Sequence, residues 1–354
     1  MHLFVYEYAC AAFDGNDGAT TPLYGEGWAM LHAVLEDLSS LPDVYLTTML
    51  STHAIERFPL LEALNIECIA VEPSKESLAF RELVRHADAV LVIAPEFDDL
   101  LYQRSSWVEQ ADGQLLGPSS DAVRLAGDKL LVAQHFQACR IPSPTTIGAD
   151  HPPLTRDMPW PAVCKPRYGA GSQATFLVRG WDEMASCLAR AEREGWKGEL
   201  VVQPFVPGLA CSVAFLMGPE GSVALPPCRQ QLSNDGRFHY LGGALPLPPD
   251  LAKRAVALGK RVVESVSGLR GYVGVDLVLG ESPNGNEDSV IELNPRLTTS
   301  YVGLRALATA NLAQAMVHAA LGRPFLAPQW RSGSVLFHPD GRAAWQAPAT
   351  EKPG

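Results

Sequence analysis

The stretch KPRYGAGSQAT, residues 165–175, decides how this chain is read. It lies between two apolar runs, AVCK (162–165) and ATFLV (174–178), which read as strands. Walker A and Rossmann loops run from a strand into a helix, so this placement excludes both. A glycine-rich loop between two strands can instead fold over phosphates, because amides with no Cβ in the way approach an anion closely. Lys165 stands at the start of the loop, and Gly169, Gly171 and Ser172 form its tip. Taken alone, the same residues also suit an ordinary hairpin with a surface lysine.

Downstream, GYVGVDLVLG (271–280) and SVIELNPR (289–296) read as a hairpin across the turn-rich ESPNGNED. Strand period two puts Glu292 and Asn294 on one face and Ile291 and Leu293 on the other. If Asp276 pairs opposite Glu292, two carboxylates and an amide oxygen converge, a hard-oxygen set suited to Mg²⁺. Arg296 follows, placed to grip a phosphoryl group or a carboxylate with both arms of its fork. The plain alternative is a solvated acidic strand face. Between these signals, ELVVQPFVPG (199–208) reads as a strand ending in an extended, proline-bracketed segment. Its free backbone groups would meet an adenine edge, with Phe205 and Val206 around the ring; a simple strand-to-turn junction fits as well.

Upstream, short apolar runs alternate with helical patterns from LFVYEY (3–8) to AVLVIAP (89–95), which predicts βαβ units and a parallel sheet over residues 1–116. Glu7 and Glu96 stand at strand ends, where ligands of such sheets bind. In 117–144 two short helices are expected, capped by Ser119 or Ser120 and by Asp128. Residues 141–161 read as a proline-rich linker, Asp250 as the cap of the helix over 250–268, and the segment after Pro328 as an unassigned tail.

Composition narrows the function. The chain has 354 residues, 47% hydrophobic and 19% charged, enough to bury cores without staples, and it is not a disordered composition. A net charge of −11 repels phosphate backbones, so nucleic acid and anionic membrane are poor partners, and a polyanionic ligand must meet a local Lys/Arg cluster. No apolar run is long enough for a membrane span. The seven cysteines are scattered without a CxxC, which argues against disulfides and zinc and for a reducing, cytoplasmic compartment. The N-terminus reads as a strand, with a signal peptide as the lesser alternative. No GxSxG or metal-spaced histidine set supports another catalytic scheme.

The order of these elements, DK on a helix, then KPxxGxGS, then a hinge strand ending in PG, then an acid, then ExNPR, resembles the ATP-grasp superfamily over roughly residues 117–325. The resemblance implies an α/β ATP-grasp fold with a pre-ATP-grasp domain at 1–116, a central lobe at 117–200, a second lobe with the metal site at 201–330, and a tail at 331–354. It implies ATP and Mg²⁺ (or Mn²⁺) as cofactors. Lys129 and Lys165 would hold phosphates, Gly169 to Ser172 the lid, and Gln203, Phe205 and Val206 adenine. Asp276, Glu292 and Asn294 would hold the metal, and Arg296 the transferring phosphoryl group. Two departures stand out: Gln203 where many relatives carry Glu, and Leu209 and Ala210 where a ribose-binding acid is common.

More narrowly, YEY (6–8), EGWAML (26–31), APEFDDLL (94–101), LGGALP (241–246) and NPRLTTSYVGL (294–304) resemble the tyramine/tyrosine–glutamate ligases of methanofuran- and methylofuran-type carrier synthesis. This implies L-glutamate activated as an acyl phosphate and joined to tyrosine or tyramine, with small molecules as partners and a homodimer left open. Glu7, Glu96, Arg229, Thr298, Ser300 and Tyr301 are the expected substrate residues. Trp28, Tyr301 and the 6–13 segment would line an aromatic slot, and Arg229, Arg237 or His239 would meet a carboxylate. The competing readings are a different amino-acid ligase of the same fold and a non-catalytic ATP sensor.

Overall fold

The computed structural model describes residues 1–14, 21–55, 59–150 and 158–348. Strands β1 (His2–Glu7), β2 (Tyr45–Ser51), β3 (Glu67–Val71) and β4 (Ala89–Ile93) form a parallel sheet in the order β3-β2-β1-β4. Alternation along β1 sets its two faces. Leu3 and Val5 pack in one apolar core with the helix Thr21–Ser39, and Phe4 and Tyr6 in another with the helix Glu76–His86.

A second, antiparallel sheet has the order β5-β8-β6-β7, from β5 (Ile147–Gly148), β6 (Ala162–Pro166), β7 (Phe176–Val178) and β8 (Leu200–Pro204). The helix Met184–Arg193 covers its core. The division expected at 200/201 therefore meets strand β8, whose backbone pairs with β6 and keeps Leu200–Pro204 in this sheet.

The third sheet has eight strands: β9 (Leu209–Gly218), β10 (Gly221–Ala224), β11 (Cys228–Leu232), β12 (Tyr240–Leu245), β13 (Gly271–Leu279), β14 (Ser289–Asn294), β15 (Ser334–Phe337) and β16 (Ala343–Gln346). Its path runs β14-β13-β9-β11-β12-β15-β16, with β10 paired to β9. Val213, Phe215, Val273 and Val275 face the helices Pro249–Ser265 and Ser120–Gly127, while Ala214, Leu216 and Tyr272 face Ser300–Leu307 and Leu312–Ala320. Each buried Val, Leu or Phe among these contributes about 1.5–3 kcal/mol.

Several local expectations are corrected. The segment after Pro328, left unassigned from the sequence, carries two strands in its described part, β15 paired with β12 and β16 with β15; residues 349–354, and 151–157 of the expected linker, lie outside the described residues. Asp250 falls inside the first helical turn, since the helix starts at Pro249 with Pro248 ahead of it. Of the two serines offered as caps, Ser119 accepts the Ala122 amide. Gly208 has φ +144, and a Cβ there would sit 2.4 Å from Leu279 O, so the PG turn brings the chain against β13 at a spacing that excludes a side chain. Among the described residues no helix is long and apolar enough to cross a membrane.

Candidate active site

A cavity of about 800 Å³ is lined by the second and third sheets together. Two lysines reach it through a shared anchor. Asp128 caps the helix Lys129–Ala138 by accepting the Leu130 and Leu131 amides. The same carboxylate accepts two N–H groups of Arg167 at 2.8 and 2.6 Å and the Tyr168 hydroxyl at 3.0 Å. Arg167 lies just past β6, so one aspartate ties the helix that begins at Lys129 to the strand that carries Lys165. Lys129 Nζ then donates to Gly169 O at 2.9 Å and lies 2.7 Å from Glu292 Oε1. Lys165 is buried; burial, joined by the Lys129 charge, lowers its pKa to about 8 against the pull of Glu292 and Asp276.

Opposite them, Asp276 pairs with Glu292 and Gly274 with Asn294, the register the sequence left as an assumption. Asn294 Nδ2 donates to Asp276 Oδ2 at 3.0 Å, and Gln230 Nε2 donates to Oδ1 at 2.9 Å. Burial first, then the Glu292 charge, pushes the Asp276 carboxyl up to about 7. Burial also works against a charged Glu292, but Lys129 and Lys165 outweigh it and hold this carboxyl below its ordinary value. A buried pair of facing carboxylates calls for a cation between them. Among the described residues no group of three or more His, Cys, Asp or Glu is arranged to cage a metal. Two carboxylates and one amide oxygen are a partial set, which fits Mg²⁺ completing its shell with phosphate oxygens and water.

The strand face departs from strict alternation. A register shift between Asp276 and Leu277 interrupts the ladder, and Ile291, expected on the far face, lines the cavity as well. The hinge is also less open than expected. The Phe205 N–H donates to Pro161 O at 2.9 Å, and Gln203 Nε2 donates to Thr146 Oγ1 at 2.6 Å. Gln203, Phe205 and Val206 do line the cavity, with Phe205 stacked on Phe238 at 6.0 Å between centroids. Ser172 Oγ donates to Phe238 O at 2.5 Å, which joins the glycine-rich loop to the turn before β12.

Arg296 reaches the cavity while its guanidinium bonds both oxygens of Glu96, at 2.8 and 3.1 Å. Thr298, Ser300 and Arg229 line the same space, and Arg229 has no acidic partner among the described residues. Other expected substrate contacts lie elsewhere. Glu96 stands behind Arg296 as its partner. Glu7 is buried at the end of β1, where it accepts the Cys10 amide at 2.7 Å. Tyr301 is fully buried, its hydroxyl 2.5 Å from Asp37 Oδ2. Arg237 is held by both oxygens of Glu194, and neither it, His239 nor Trp28 lines the cavity. The aromatic wall is instead Phe205, Phe238 and Tyr240. Glu26, the first residue of the EGWAML motif and absent from the expected site residues, also lines the cavity from the helix Thr21–Ser39.

Comparison with known proteins agrees with this architecture. A family model described as an ATP-grasp domain matches residues 126–300, and one described as a pre ATP-grasp domain matches 44–123. The chain is 26% identical over 308 residues to a tyramine–L-glutamate ligase of Methanocaldococcus fervens, covering 86% of this chain and 89% of that one. Its fold is similar to a crystal structure of an ATP-grasp superfamily protein from Archaeoglobus fulgidus, with TM-score 0.67 at 22% identity over 95% of this chain and 92% of that one. It is also similar to the biotin carboxylase domain of Hydrogenobacter thermophilus 2-oxoglutarate carboxylase, whose structure holds MgADP and bicarbonate, with TM-score 0.74 at 15% identity over 95% and 73% of the two chains. The chain belongs to the ATP-grasp superfamily and resembles the tyramine–L-glutamate ligases within it.

Proposed function

We propose that this protein is an ATP-dependent carboxylate–amine ligase that activates the γ-carboxyl of L-glutamate and joins it to the amine of tyrosine or tyramine. The observation that carries the reading is the convergence of Lys129, Lys165 and Arg296 on the Asp276–Glu292–Asn294 set in one cavity. Three cations beside two carboxylates suit a metal-bound triphosphate: the lysines take phosphate oxygens, and the acids hold Mg²⁺. When bound, Mg²⁺ neutralises charge on the phosphoryl oxygens. Arg296, oriented by Glu96, meets the transferring group with a planar fork. The glycine-rich loop excludes water from the acyl phosphate that forms.

The choice of glutamate and of an aromatic amine draws on the named methanogen relatives and on the cavity's aromatic wall. Arg229 favours an acceptor that brings its own carboxylate, which is tyrosine; burying that carboxylate without a cation would cost several kcal/mol. The pairing is tested by measuring ADP release across a panel of amino acids and amines, with kcat/KM compared for tyrosine and tyramine. Release that needs glutamate and one of these amines supports the reading. Stimulation by a different acid and amine would identify another ligase, and stimulation by no pair would identify a nucleotide sensor.

A further inference from the structure

We infer that Glu26 is the acceptor-side carboxylate, binding the incoming ammonium beside Arg296 and taking its proton before attack. The inference rests on the ligase reading above and adds to it the residue that makes the amine a nucleophile.

Glu26 has the placement such a group needs. It belongs to the helix Thr21–Ser39 over the parallel sheet, yet it forms part of the cavity wall with Arg296 and Tyr240. Its charge is felt by both of those residues. Among the described residues it has no hydrogen bond or ion pair, and Glu96 takes one edge of the nearby Arg296 guanidinium. A carboxylate in a cavity wall with no hydrogen-bond partner of its own is a binding position for a cation. Burial raises its pKa, with Arg296 opposing, which makes it a better proton acceptor than a surface glutamate.

The helix is also fixed in place. Eleven residues after Glu26, its end is clamped to the third sheet's helices: Tyr301 donates to Asp37 at 2.5 Å, Arg305 at 2.7 and 3.0 Å, and Asn311 to Asp37 O at 2.6 Å. Gly27 packs on the Glu7 carboxyl, where a Cβ would come within 2.5 Å of Cδ. A positioned carboxylate, rather than a solvated one, therefore faces the reacting centre.

The step balances without a further reactant. The ammonium gives one proton to Glu26, and its freed lone pair forms the C–N bond at the acyl carbon. The C–O bond to phosphate breaks, and phosphate leaves with the electron pair and the second nitrogen proton.

The test splits the reaction in two. Hydroxylamine reaches the site already neutral, so it traps the acyl phosphate without needing a base. In the Glu26→Gln variant of the 354-residue chain, amide formation with tyrosine or tyramine should fall about 100-fold. ATP- and glutamate-dependent hydroxamate formation should stay within about twofold of wild type. Equal loss of both reactions, or loss of neither, overturns the assignment to Glu26. A wild-type chain that makes neither hydroxamate nor amide with any of these substrates overturns the ligase reading and this inference with it.

Discussion

Arg296 and Glu96 stand two hundred residues apart in the chain and share a bidentate ion pair with both side chains nearly buried. One element after β4 of the first sheet thereby aims the arginine that follows β14 of the third. Replacing Glu96 with Ala leaves a buried guanidinium without its counter-charge and should lower stability by about 3–5 kcal/mol, read by chemical denaturation. Arg296→Lys keeps the charge but loses the fork, and hydroxamate trapping should drop more than tenfold while the fold is kept.

Asp276→Asn and Glu292→Gln keep volume and remove charge from the cavity face proposed above to hold the metal-bound phosphates. ADP release should fall by roughly 10²–10³ in each. Asp276→Asn should leave the ligand-free protein as stable as wild type or more so at pH 8. The Asp276 carboxyl titrates near pH 7 beside Glu292, so the stability it contributes is full below its unfolded value and fades as pH rises through 7. Near-normal turnover in both variants would remove the pair from the site.

Glu7 gives a separate pH signature away from the cavity. Burial raises its carboxyl to about 7, against the Cys10 amide that favours the charged form. Its contribution is thus complete below about pH 4.5 and lost as pH climbs through 7, a span worth on the order of 3 kcal/mol. Glu7→Gln, which can still accept the Cys10 amide, should therefore flatten the decline of Tm between pH 5 and pH 8. An unchanged decline would show that other groups set it.

Gly27→Ala would place its methyl against the Glu7 carboxyl. Despite the better helix propensity of alanine, a loss of about 1–3 kcal/mol is expected from overpacking. Combining it with Glu7→Ala should recover most of that loss, and a double-mutant cycle with no coupling would contradict the contact.

Short-range pattern carried much of this architecture. Strand period and loop chemistry are local, so the βαβ units, the KPRYGAGS loop and the shared face of Glu292 and Asn294 could be read from a few residues each, whereas the pairing of Asp276 with Glu292 is set by the register between two strands. The parts that escaped depend on tertiary placement. Glu26 becomes relevant only because Asp37 clamps its helix to Tyr301 and Arg305, some 260 residues on. Tyr301, which looks in sequence like a binding aromatic, is consumed by that clamp. Ile291 enters the cavity through a register shift no alternation pattern announces. Strand β16 is exposed at every position, so it has no apolar rhythm to mark it.

The central claim is that the γ-carboxyl of glutamate passes through an acyl phosphate on its way to the amide, losing one oxygen to the phosphate. The direct measurement is to supply L-glutamate labelled with oxygen-18 in its γ-carboxyl, together with ATP, Mg²⁺ and tyrosine or tyramine, and to analyse the released phosphate by mass spectrometry. The account predicts that each phosphate carries one labelled oxygen for each amide formed. Amide formation with unlabelled phosphate would contradict it.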